Sequence, residues 1–100
     1  MSEKEMFQAL HPDPNKQGAR VTKATFDIYR EALLQLIPAD EEGIALQTLF
    51  EDVVPLVPPE IAANTSPGWW TMTVKLDLEA RGVIERVPGK GRQRVRKLGE

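Results

Sequence analysis

Three punctuation marks divide the last third of the chain, SPGWWTMTVKLDLEARGVIERVPGKGRQRVRKL, and leave it few ways to fold. Ser66 followed by Pro67 reads as a helix start: a serine side chain can cap free amides, and a proline in the first turn lacks only an N–H that would go unpaired anyway. Gly82 reads as a helix stop, since glycine enters the left-handed conformation without a Cβ penalty. Pro88 and Gly89 suit the two central positions of a type II turn, flanked by strand segments at 83–87 and 92–98. With residues 88–91 as the loop, Val87 faces Arg92, Glu85 faces Arg94 and Ile84 faces Val95. That register puts an apolar pair on the buried face and opposite charges on the open one. Arg92, Arg94 and Arg96 then line one face of the hairpin.

Between Ser66 and Gly82 two periods compete. Trp70, Met72, Val74, Leu76 and Leu78 alternate with Thr71, Thr73, Lys75, Asp77 and Glu79, and this period of two favours a strand. A helix would place Trp70, Val74 and Leu78 on one stripe and Trp69, Met72, Thr73 and Leu76 on another. The Ser-Pro start and the run Leu78-Glu79-Ala80-Arg81 before glycine favour the helix.

Upstream the pattern is clearer. Phe26, Tyr29, Ala32, Leu33, Leu36 and Ile37 carry the spacing of an amphipathic helix that Thr22 opens and Pro38 closes. A short extended link at 43–45 follows the acidic loop PADEEG. Leu46, Leu49, Phe50, Val53, Val54 and Val57 then form the stripe of a second helix, which Pro55 disrupts near its end. The proline-rich stretch 55–67 is expected to be a long connection with one helical turn near residues 60–63. Residues 1–21, with Pro12, Pro14 and Gly18, read as an irregular arm with a helical turn around residues 4–10.

One hundred residues make one domain, placed here at 22–98. The chain has no cysteine, which removes disulfides, thiolate metal sites and cysteine nucleophiles. No apolar run approaches the roughly 20 residues of a membrane span, and the charged N-terminal sequence is unlike a signal peptide, so a cytoplasmic protein is expected. The net charge of −2 conceals an asymmetry. Residues 1–80 hold six Lys and Arg against thirteen Asp and Glu, whereas residues 81–100 hold seven against two.

The order helix, extended link, helix, longer helix ending LEARGVIER and basic hairpin resembles the winged-helix domain. In that family a long third helix ends in a Leu-Glu-x-x-Gly-Leu/Val-Ile/Val pattern and runs into the strands of the wing; Leu78, Glu79, Gly82, Val83 and Ile84 match it. The GWW…LDLEA run is also similar to a small bacterial family of uncharacterised winged-helix-like proteins. The resemblance implies an α+β fold, mainly α, with three helices and a C-terminal wing, and it favours the helix over the strand for residues 70–79. It further implies a nucleic-acid-binding protein, with transcription regulation among the roles of such domains.

On that expectation double-stranded DNA is held chiefly by phosphate contacts from Arg86, Lys90, Arg92, Arg94 and Arg96, with Lys75 and Thr73 contributing from the third helix. Two features point elsewhere. Helix-turn-helix readers join their second and third helices by about 3–4 residues, and here the connection is much longer. The third-helix face offers Met72, Thr73, Leu76 and Asp77, few of which read base edges. The alternative is a protein-interaction or homodimerisation module that uses Trp69, Trp70, Met72 and Leu76.

Nothing in the sequence points to catalysis, a metal or a cofactor, and no small-molecule ligand is expected. His11 beside Pro12-Asp13-Pro14 lacks companion ligands. GKGR lacks the spacing of a phosphate loop. Asp40, Glu41 and Glu42 read as a solvated loop cluster.

Overall fold

The computed structural model describes residues 5–89 and 91–98. It is an α+β fold of four helices and two small antiparallel sheets. Helix α1, Lys23–Leu36, buries Phe26, Tyr29, Ala32 and Leu33, the stripe its spacing predicts. It ends because Pro38 disfavours helical geometry in the residue before it, and Ile37 is extended at φ −79° and ψ 117°. Helix α2, Leu46–Val53, buries Leu49 and Val53, and the ring of Pro55 tightens its continuation into a single 3-10 turn, Val54–Leu56. Val57 is buried just beyond it.

The expected turn near residues 60–63 is helix α3, Pro59–Asn64, and a proline occupies its first position. Thr65 follows and joins this connection to the core. Its hydroxyl donates to the Ile61 carbonyl at 2.7 Å, so the second bond at that oxygen, 2.7 Å from the buried Tyr29 hydroxyl, has the tyrosine as donor.

Helix α4, Pro67–Ala80, is the helical alternative for the ambiguous segment. Its end satisfies the free carbonyls twice: Val83 N–H donates to Leu78 O at 2.9 Å and Gly82 N–H to Glu79 O at 3.1 Å. This is the Schellman arrangement, and it requires the positive φ of 75° that Gly82 supplies. The three-residue turn 81–83 leads directly into strand β4, Ile84–Arg86.

Strand β5, Arg94–Lys97, lies between β4 and β3, Ile44–Ala45, so the link between the first two helices is stitched to the last strand. The register differs from the expected one by two residues. Ile84 faces Lys97, Glu85 faces Arg96 and Arg86 faces Val95, and Val87 N–H donates to Arg94 O at 2.9 Å. The loop is therefore 88–93. A slip of two preserves the side-chain alternation, so Ile84 and Val95 stay buried while the partner of Glu85 changes from Arg94 to Arg96. What fixes the register is the other side of β5, where Ile44 faces Val95 and Ala45 faces Arg94. Gly43 precedes β3 at φ 64°, and a Cβ there would collide with the Val95 carbonyl oxygen.

The N-terminal segment departs from the irregular arm and helical turn expected for it. Strand β1, Met6–Gln8, pairs antiparallel with β2, Arg20–Thr22, immediately before α1. Phe7 packs on Phe26 with ring centroids 4.5 Å apart, and the Arg81 guanidinium lies 5.1 Å from the Phe7 ring. Ala9 and Val21 are buried with the main core. Among the described residues no helix is long and apolar enough to cross a membrane.

Candidate functional site

Helix α4 runs through the middle of the molecule, and its sides differ sharply. Val74 and Leu78 enter the core, and Thr71, Lys75 and Asp77 are buried as well. Two of these polar residues were expected on the outward face, and the structure corrects that placement. Asp77 is sealed from solvent: Oδ1 accepts the backbone N–H of Leu10 at 2.8 Å and both carboxylate oxygens accept from Arg81 Nε. Lys75 is 4% exposed and pairs with Glu79 Oε1 at 3.2 Å. With its amide oxygen turned to its donors, Gln93 accepts from Lys75 Nζ at 2.9 Å and from Arg86 Nε at 3.0 Å. Leu10 and Gln93 come from the N-terminal segment and the hairpin, so helix positions read on α4 alone leave these polar groups facing outward.

What α4 does present outward is a stripe at the spacing i, i+3, i+4, i+7: Trp69, Met72, Thr73 and Leu76. Trp69 is 49% exposed, and the other three are half-buried. Trp70 is the anchoring member of the tryptophan pair. It stacks on Tyr29 at 5.6 Å with the planes 7° apart, and Trp69 meets its edge at 5.3 Å and 85°. The offset and edge-to-face geometries hold Trp69 in a fixed pose on the surface.

The basic hairpin is largely occupied with the acidic loop beside it. Arg94 donates from Nε to Glu42 O at 2.7 Å and from Nη2 to Gly43 O at 3.2 Å. Arg96 pairs with Glu85 at 2.7 Å and reaches Glu41 O at 3.1 Å. Arg92 reaches the Gln47 amide oxygen at 3.1 Å. Arg86 is exposed, and Lys90 lies outside the described residues. The hairpin arginines thus brace the sheet against residues 41–43, with Asp40, Glu41 and Glu42 exposed next to them.

His11 accepts the Asp13 amide at Nδ1, 3.0 Å away, inside a local turn. Among the described residues no cluster of His, Asp or Glu is grouped for a metal ion.

The sheet stitched from β3, β5 and β4 and the central helix α4 define a small α+β domain whose outward features are an aromatic stripe and a braced basic hairpin. The chain belongs to the DUF6958 family, a family of unknown function whose profile matches residues 6–95. No curated protein and no solved structure matches it.

Proposed function

We propose that the chain is a winged-helix domain acting as a protein-interaction module, with the outer stripe of α4 as the contact and a second copy of the chain as the partner. The order α1, β3, α2, α4, β4, β5 and the sheet order β3-β5-β4 support the fold assignment, with α4 as the third helix and residues 88–93 as the wing tip. The β1/β2 pair and α3 are additions to that plan.

One observation carries the functional assignment: the only lysine of α4 is buried in an ion pair, while its first turn offers a half-exposed tryptophan. A helix that reads a base edge needs outward Arg, Lys, Asn or Gln, whereas a protein contact gathers its energy on aromatic anchors. The stripe Trp69, Met72, Thr73 and Leu76 carries no charge. In a two-fold contact each residue meets the same surface again, and an uncharged stripe does so without like-charge repulsion.

The test is sedimentation velocity over a concentration series for the parent and for Trp69→Asp. A parent dimer that becomes a folded monomer supports self-association; a parent that stays monomeric throughout overturns it.

A second assignment, DNA held by the wing, is favoured by the exposure of Arg86 and Arg92. It expects anisotropy of a labelled random duplex to rise at low salt and the affinity to fall by about 0.9 logarithmic units per neutralised phosphate for each tenfold rise in salt. Loss of that binding in Arg86→Glu/Arg92→Glu would support it, and absence of binding at low salt would remove it.

A further inference from the structure

A cleft of about 580 Å³ opens where the N-terminal segment, α4, β4 and Leu98 converge. Its size falls within the roughly 300–1,000 Å³ of small-molecule sites. Lys75 and Glu79 line it from α4, one turn apart, and both side chains are at least nine-tenths buried. Glu79 Oε1 faces the lysine. Glu79 Oε2 is shut off from solvent and has no hydrogen-bond partner among the described residues. A buried carboxylate oxygen without a donor is a penalty that the free protein carries and that an arriving donor relieves. Folding alone does not call for this pair, because apolar side chains of similar size stabilise an interior at least as well.

The rest of the lining defines what could arrive. Arg86 stands on β4, oriented by the same Gln93 amide that holds Lys75. Leu76 and Leu98 provide apolar wall between the charged groups. Asp13 and Glu85 also line the cleft, so a simple anion would meet three carboxylates, and a simple cation would meet Lys75 and Arg86.

We propose that this cleft binds a small zwitterion with an apolar body, of the α-amino acid class. Its ammonium pairs with Glu79 Oε2, its carboxylate with the Arg86 guanidinium, and its side chain lies on Leu76 and Leu98. The terminal torsion of a glutamate is soft, so the carboxylate turns to bring an oxygen to the donor, while the Gln93 amide oxygen keeps hold of Lys75. A guanidinium offers a carboxylate two parallel hydrogen bonds, which suits Arg86 to the other end of the ligand. Leu76 also belongs to the stripe assigned to self-association, so the titration is run on Trp69→Asp as well as on the parent, which reads the cleft separately from the oligomeric state.

The experiment is a two-dimensional ¹⁵N–¹H NMR titration with three probes that share one apolar body: L-leucine, 4-methylpentanoate and 3-methylbutylamine. They carry both charged groups, only the carboxylate and only the ammonium. L-Leucine is expected to give saturable shifts at the amides of Leu76, Glu85 and Leu98, and each single-charge probe to bind at least about tenfold more weakly, since a charge-assisted pair is worth about that factor. Arg86→Ala should weaken L-leucine by a similar factor and leave 3-methylbutylamine unchanged. Glu79→Gln should weaken L-leucine and leave 4-methylpentanoate unchanged. If Glu79→Gln does not fold, the exposed Arg86 variant decides alone. No saturable shift with L-leucine up to tens of millimolar, equal binding of the three probes, or an unaffected Arg86→Ala would each overturn the proposal.

Discussion

The carboxylate of Asp77 holds the backbone amide of Leu10 at 2.8 Å across 67 positions of sequence. That single bond ties the N-terminal segment to the far end of α4, and the same side chain holds Arg81 four residues on. Asp77→Ala strips a buried amide of its acceptor and Arg81 of its ion. Because Arg81 itself is partly exposed, the expected loss is about 2–3 kcal/mol, below the range for breaking a fully buried pair. Urea unfolding measures it, and hydrogen exchange at Leu10 should accelerate more than exchange in α1.

Lys75 and Glu79 form the more demanding pair, since both side chains are at least nine-tenths buried. Lys75→Met should destabilise by about 3–5 kcal/mol by stranding the glutamate. Lys75→Met/Glu79→Leu should recover most of that loss. A double variant no more stable than the single one would show that the charges are held by something other than each other.

Tyr29 donates to Thr65 while Thr65 donates to Ile61, so the hydroxyls form a short relay from α1 into the proline-rich connection. Tyr29→Phe should cost about 1 kcal/mol, and Thr65→Ala somewhat more because it strands the tyrosine hydroxyl. A double-mutant cycle on thermal unfolding should give a coupling near the cost of the first variant.

The hairpin arginines separate by role. Arg94 binds two carbonyls beside β3, so Arg94→Ala should destabilise by about 1.5–3 kcal/mol, whereas Arg92→Ala, at an exposed loop position, should stay within about 0.5 kcal/mol. Chemical denaturation distinguishes them. Equal losses would mean that the carbonyl contacts contribute nothing.

Gly43→Ala places a Cβ against the Val95 carbonyl at a positive φ, whereas Gly82→Ala meets open space at a similar φ. The second should cost about 1–2 kcal/mol for the backbone alone, and the first clearly more because β3 must shift. Melting temperatures of the two variants provide the comparison.

Helices α1 and α2 were legible because their buried residues repeat at helical spacing and their ends carry Thr22, Pro38 and Pro55; α4, whose period favoured a strand, was legible only through Ser66-Pro67, Gly82 and the family resemblance, and neither Thr22 nor Ser66 forms a side-chain cap hydrogen bond. The hairpin was legible in its faces and not in its register. Alternation is unchanged by a slip of two, and only the contact of Val95 with Ile44, half a chain away, distinguishes the alternatives. The β1/β2 pair was not legible, because strands of three residues leave no period to detect. The interior placement of Lys75 and Asp77 was hidden for a related reason: besides the local partners Glu79 and Arg81, the groups that bond them in the interior are Gln93 and the Leu10 amide, both far away in sequence. Trp69 and Trp70 were legible as a pair with divided roles, but only the Tyr29 stack identifies which one is anchored.

Because β5 is the central strand and follows both of its neighbours in sequence, neither outer strand of that sheet can pair until residues 94–97 have been made. Ile44 and Ala45 leave the ribosome with no partner and must wait for residues 94–97 before their backbone can pair. A nascent chain halted before Arg94 has both outer strands and lacks the one between them. Pairing of the three-stranded sheet therefore waits on residues 94–97, whereas the helices and the β1/β2 pair draw only on residues made before them.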